Sequence, residues 1–277
     1  MRTVGIVGGT GAMGSLFSKF FKNAGFKVLV SGRNTRLSAR ELCSQSDWTI
    51  FCVPIAETAK IIAENARFAK KGAIVSDFTS VKEGPLKAMM KHSPKGCSVV
   101  GIHPLFGPNV KGLMGQNVVL VKGRGENGFA FVEKFFKAQG AKAIECKARE
   151  HDELMGIVQG ANHFSNLAFA FYLAGCGKGI ERLLEISTPN FRLKLALISR
   201  ILKQNPSLYF DLILENKQSL KQAKDYCLAV KRIEKIIIQK DRCALEKEIL
   251  KVQKRFSGKM AESLFQKSGA ALECFSK

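Results

Sequence analysis

Short apolar runs punctuate the first half of the chain. They read TVGIVGG (3–9), KVLVSG (27–32), WTIFCVP (48–54), AIVSDF (73–78), CSVVGIH (97–103), NVVLVKG (117–123) and KAIECK (142–147). Most are continuously apolar rather than alternating, the pattern of strands covered on both faces. Between them, MGSLFSKFFKNAG (13–25) and AETAKIIAENARFAKK (56–71) repeat apolar residues at helical spacing, and the first ends in glycine. Strands interleaved with helices predict an α/β fold with a doubly wound, mostly parallel sheet.

The rhythm changes near residue 148. EHDELMGIVQGANHFSNLAFAFYLAG (150–175) reads as one long helix, apolar enough to be buried on most sides. Leu193, Leu197 and Ile201 fall four apart in a second helix, which Pro206 ends. From Ser219 onward charged and apolar residues interleave at helical spacing. The expected division is a nucleotide-type domain over 1–148 and an all-helical domain over 149–277, with no repeat or long linker.

Composition changes this picture little. Hydrophobic residues make up 46% of the 277 and charged residues 24%, the balance of a chain with a sizeable core. No apolar run is long enough to span a bilayer, and the opening MRTVGIVGG lacks the form of a secretory leader, so a cytoplasmic protein is expected. The eight cysteines show no CxxC pair and no metal spacing, the pattern of free thiols, and no metal is expected. The net charge is +21, but it is spread: residues 1–150 carry 23 Lys and Arg against 10 Asp and Glu, and the remainder 21 against 13. No basic run exceeds two residues, which argues against a nucleic-acid partner and for a generally basic surface.

Two places carry chemistry. Gly9-Thr10-Gly11-Ala12-Met13-Gly14 is a GxGxxG turn between a strand and a helix. Such glycines permit a tight turn, a close approach to a pyrophosphate and close helix packing, with the helix N-terminus facing the anion. A Rossmann-type dinucleotide site is therefore expected. The second strand, where an NAD site commonly has an acidic residue, is followed instead by Ser31, Arg33 and Arg36, suited to a 2′-phosphate. NADP is the preferred cofactor over NAD. The other place is the fifth strand, where His103 stands between Ile102 and Pro104. In doubly wound sheets ligands sit beyond the carboxyl ends of the strands, so His103 is a candidate general base. DFTSVKEGP (77–85) ends the strand before it and offers Ser80 and Lys82. His151, Met155, Gln159 and His163 fall four apart, one stripe along the long helix, with His151 read as structural or capping.

GGTGAMG, DFTSVKEGPL, GIHPLFGP, EHDELMGIVQGANHF and STPNFRLKLALISRILKQNPSLYFDLI fall in the order and approximate spacing of the prephenate dehydrogenases of tyrosine biosynthesis. Over essentially its whole length the chain resembles that family, and within it the dehydrogenase part of the bacterial chorismate mutase–prephenate dehydrogenase fusion. The resemblance implies that His103 is catalytic and hydrogen-bonds the 4-hydroxyl of prephenate, with Ser80 as its partner. It implies that Arg192 binds a substrate carboxylate, that His163 lines the substrate site, that Lys82 in the SVK turn is a further substrate-binding residue, and that Val53 and Pro54 run along the nicotinamide. Gln159 joins the substrate-binding set from its place on the stripe. The implied reaction is oxidative decarboxylation to 4-hydroxyphenylpyruvate with hydride transfer to NAD(P)+, in a homodimer built through the C-terminal helices. Arogenate dehydrogenase on the same plan, and a non-catalytic dinucleotide-binding sensor, are the competing readings.

Overall fold

The computed structural model describes residues 2–275 and divides into two compact units, the chain up to Met155 with Leu214–Gln218, and Gly156–Ile213 with Ser219 onward. Helix α6 (Ala148–Met155) belongs to the first compact unit.

The first unit is a seven-stranded sheet in the order β2-β1-β3-β4-β5-β6-β7. The strands are β1 (Thr3–Val7), β2 (Lys27–Ser31), β3 (Trp48–Phe51), β4 (Ile74–Asp77), β5 (Ser98–Pro104), β6 (Asn117–Arg124) and β7 (Lys142–Glu145). All seven apolar runs became strands. Neighbours are parallel except β5 with β6. No helix lies between those two strands, and a parallel return needs a crossover, so the chain comes back antiparallel.

Helix α1 (Ala12–Asn23) packs Phe17 and Phe21 onto one face of the sheet, in a cluster with Trp48, Phe135 and Phe136. Phe135 and Phe136 come from α5 (Glu126–Ala138). The Trp48 ring stands edge-on to Phe21 at 5.1 Å and its Nε1 donates to Ser76 Oγ at 3.0 Å. The other face packs Leu42, Ile62, Val75 and Met89 from α2 (Ala39–Gln45), α3 (Ile55–Asn65), β4 and α4 (Glu83–His92). A capping box opens α2: Ser38 Oγ accepts from Glu41 N while Glu41 accepts from Ser38 N.

The second unit is all helix. The stretch 150–175 expected to be one helix is helical throughout, with a π-helical part (Gly156–Ala161) between α6 and α7 (Asn162–Gly175). Gly160 there is so close to Ser219 that a side chain at 160 would collide with it. Four further helices used below are α8 (Ile180–Glu185), α9 (Pro189–Leu202), α10 (Pro206–Leu214) and α11 (Lys217–Ile238); α12 (Arg242–Arg255) and α13 (Gly258–Glu273) follow. Burial of the 150–175 segment on most sides does not hold in the single chain. Ile157, Val158, Phe171 and Tyr172 are exposed, as are Leu228, Ile237, Ile238 and Phe265 beyond it. Among the described residues, no helix is long and apolar enough to cross a membrane.

Candidate active site

The strand order reverses between β1 and β3, so the crevice at their carboxyl ends is where a doubly wound sheet takes a dinucleotide. The glycine turn occupies that place. Gly8, at φ +81°, makes the left-handed bend, and a side chain there would strike the Cys52 carbonyl. Its N–H and that of Gly9 both donate to Ser31 O, at 2.8 and 3.1 Å. A Cβ on Gly9 would stand 2.7 Å from Val30, and one on Gly14 2.5 Å from the Gly9 Cα. Gly11 differs: a Cβ there would meet only Gly8 O, at 3.4 Å. It is the N-cap of α1 and has no side-chain cap, so the first N–H groups of Ala12 and Met13 are left for an outside acceptor. These features fit a dinucleotide pyrophosphate.

Around the turn, Thr10 lies against Gly32, so the segment after β2 borders the glycine turn. Arg33 and Arg36 on that segment are exposed. Ser31 differs from expectation: it is buried, with its Oγ enclosed and without a partner among the described residues, so it does not offer a hydroxyl at the surface. The reason is register, since Ser31 pairs with Val7 inside the sheet. Val53 stands beside Gly8, and Pro54 caps α3 at the surface.

At the carboxyl ends of β4 and β5 lies a buried polar cluster. His103 is 3% exposed and His151 1%. His103 Nδ1 is 2.8 Å from His151 Nε2, and His151 Nδ1 is 2.7 Å from Asp152 Oδ1. The Asp152 carboxylate also accepts the N–H of Lys82 at 2.7 Å and of Glu83 at 3.0 Å, capping α4 from a helix about seventy positions away. Burial pushes His103 well below the usual histidine range, with the His151 ring and the Lys82 ammonium adding to the effect. His151 is lowered too, by burial first, against the opposing pull of Asp152. Both rings are therefore neutral near pH 7.

Lys82, expected to face substrate, turns inward. It is fully buried, ion-paired with Asp77, and Nζ donates to Ile102 O at 2.9 Å. Asp77 in turn accepts from Thr79 N at 3.0 Å. The sequence brought a cation to the strand end, but the nearest carboxylate, five residues back on β4, captures it. Ser80 sits half-buried in the turn that follows.

In the second unit, His163 stacks edge-on against Tyr209 at 5.0 Å, and its Nδ1 is buried without a hydrogen-bond partner among the described residues. Burial lowers its pKa. Gln159 falls in the π-helical stretch. Thr188 and Pro189 start α9 as N-cap and first residue, which places Arg192 in its first turn. Arg192 Nε donates to Ser187 Oγ at 2.9 Å and Nη1 to Phe275 O at 3.2 Å. Nη2 donates to Leu184 O at 3.5 Å, and all three of these acceptors are neutral.

Sequence reading missed Gly8, Asp77, Asp152 and the role of His151. The last two stand side by side at the start of a helix, and the HD pair itself was the available signal.

Comparison with known proteins agrees with this geometry. The family description "Prephenate dehydrogenase, nucleotide-binding domain" matches residues 18–145, and "Prephenate dehydrogenase, dimerization domain" matches 147–251. A probable arogenate/prephenate dehydrogenase of Methanocaldococcus jannaschii is 33% identical, over 92% of this chain and 61% of that protein. The T-protein of Enterobacter agglomerans is 34% identical, over 82% of this chain and 60% of its own length. The chain thus spans about 60% of the length of these relatives. Among solved structures, prephenate dehydrogenase from A. aeolicus in complex with hydroxyphenyl propionate and NAD+ superposes with a TM-score of 0.71 at 22% identity, covering 92% of this chain and 97% of that one. With both halves matched in succession to the two parts of one enzyme family, the chain belongs to the prephenate dehydrogenase family.

Proposed function

We propose that this chain catalyses the NAD(P)+-dependent oxidative decarboxylation of prephenate to 4-hydroxyphenylpyruvate in tyrosine biosynthesis. The observation that carries the reading is His103: a buried, neutral imidazole at the carboxyl end of β5, in the same sheet as the glycine turn. His103 accepts the proton of the substrate 4-hydroxyl as that group becomes a carbonyl. A bound nicotinamide supplies the acceptor for the hydride leaving C4. Loss of the ring carboxylate as CO2 returns an electron pair to the oxygen, which recovers a proton as the ring becomes aromatic. Ser80 is assigned as partner to the histidine and substrate hydroxyl. Arg192 is assigned to a substrate carboxylate, with His163 and Gln159 as further substrate-binding residues. Gly9–Gly14, Arg33, Arg36, Val53 and Pro54 are assigned to the cofactor. Two exposed arginines on the segment after β2, with no acid between Val28 and Arg40, favour NADP.

The chain is further proposed to act as a homodimer. The reason is the exposed apolar surface of the second unit, which includes Phe171, Ile238 and Phe265. Light scattering at micromolar concentration checks this, and a monomer overturns it.

The test of the activity is reduced-nicotinamide formation from prephenate and from arogenate, each with NAD+ and NADP+. His103→Asn is expected to lose about 10²–10⁴ in kcat with KM retained. Turnover of arogenate alone would move the assignment to the aminated substrate, and turnover of neither would leave a dinucleotide-binding protein.

A further inference from the structure

The hydrogen-bond chain behind His103 has a direction. A carboxylate only accepts. Asp152 already receives the N–H groups of Lys82 and Glu83 at the first turn of α4, an arrangement complementary to an anion. The atom of His151 that meets it, Nδ1 at 2.7 Å, must therefore carry a hydrogen and donate. A neutral imidazole has one N–H, so His151 Nε2 is left as an acceptor. Its partner at 2.8 Å is His103 Nδ1, which must then be the donor.

We infer that His151 and Asp152 are positioning residues that hold His103 as its Nδ1–H tautomer, making Nε2 the nitrogen that meets the substrate hydroxyl. The role of that nitrogen in turnover rests on the activity proposed above; the tautomer does not. The relay is firmly seated. His151 N donates to Lys147 O at 2.8 Å, and Asn216 Nδ2 donates to Asp152 O at 2.9 Å. The charged groups around the relay are the Lys82 ammonium and the carboxylates of Asp77 and Asp152. Protonating His151 would give its Nε2 a hydrogen and reverse the bond to His103. Burial and the Lys82 charge both oppose that.

The arrangement predicts the behaviour of Asp152→Asn. Asp152 Oδ1 takes both His151 Nδ1 and the N–H of Lys82, so an amide that turns its NH2 toward His151 Nδ1 gives up the Lys82 bond and keeps an oxygen for Glu83 N. His151 then carries its hydrogen on Nε2, and His103 is forced into the Nε2–H form, the wrong one for a base. The experiment is long-range 1H–15N NMR of the side chains in the full chain without ligand. With only four histidines, the assignment is tractable through single replacements. In the wild type, His103 is expected to show a protonated Nδ1 and an unprotonated Nε2. In Asp152→Asn the pattern inverts, kcat falls about 10²–10⁴-fold, and KM changes less than threefold. His151→Phe should likewise release the Nδ1–H preference of His103.

An Nε2–H His103 in the wild type overturns the inference without any variant having to fold. So does an Asp152→Asn protein with wild-type spectra and kcat. The expected tautomer in a protein that turns over neither prephenate nor arogenate removes the functional reading and leaves the relay standing.

Discussion

Replacing Lys82 by methionine separates a buried structural cation from a substrate-binding one. The ammonium is fully enclosed, pairs with Asp77, and donates to Ile102 O at 2.9 Å, tying the ends of β4 and β5 together. Burial lowers the Lys82 pKa, and Asp77 pulls against that. Methionine preserves most of the volume but leaves the Asp77 carboxylate buried with only Thr79 to satisfy it. Removing one partner of a buried pair costs about 3–5 kcal/mol. In a domain of this size that lowers Tm by roughly 6–20 °C. Lys82→Met with Asp77→Asn removes both charges and should regain most of the loss, since a neutral pair of similar shape carries no orphaned ion. The assay is thermal unfolding followed by circular dichroism, with steady-state kinetics well below the transition. A Lys82→Met protein that melts within about 2 °C of wild type while its substrate KM rises at least tenfold would refute the reasoning and return Lys82 to the substrate.

Three further outcomes are expected. His103, His151 and His163 all have lowered pKa values in the folded chain, so the unfolded chain binds more protons below about pH 6.5. The unfolding free energy from urea titration should therefore be flat above pH 7.5 and fall as the pH drops through 6.5, by at most ~4 kcal/mol per pH unit; a free energy unchanged down to pH 5 contradicts the burial of these rings. Arg33→Ala combined with Arg36→Ala should raise the KM for NADP+ roughly 10–100-fold with little change for NAD+, measured by initial rates; equal effects on both would place the arginines in solvent. Gly11→Ala should weaken dinucleotide binding at unchanged Tm, because only the Gly8 carbonyl stands near a Cβ there, while Gly14→Ala should lower Tm, because its Cβ would stand 2.5 Å from backbone; calorimetric titration and melting distinguish the two.

The chain's local patterns determined much of this protein. Seven apolar runs became seven strands, the glycine turn falls between β1 and α1, and His103 lies near the end of β5, because each depends on residues close in sequence. Strand burial, turn conformation and helix caps are settled within a few positions. The tertiary structure decided the rest. It turned β6 antiparallel, enclosed Ser31 in the register of β1 with β2, and drew Lys82 inward to Asp77. It also brought His151 onto His103 across 48 positions and Asp152 onto the start of α4 across 70. Those contacts exist only once the sheet has closed, since a side chain's spacing fixes the face it takes but not the partner that meets it there.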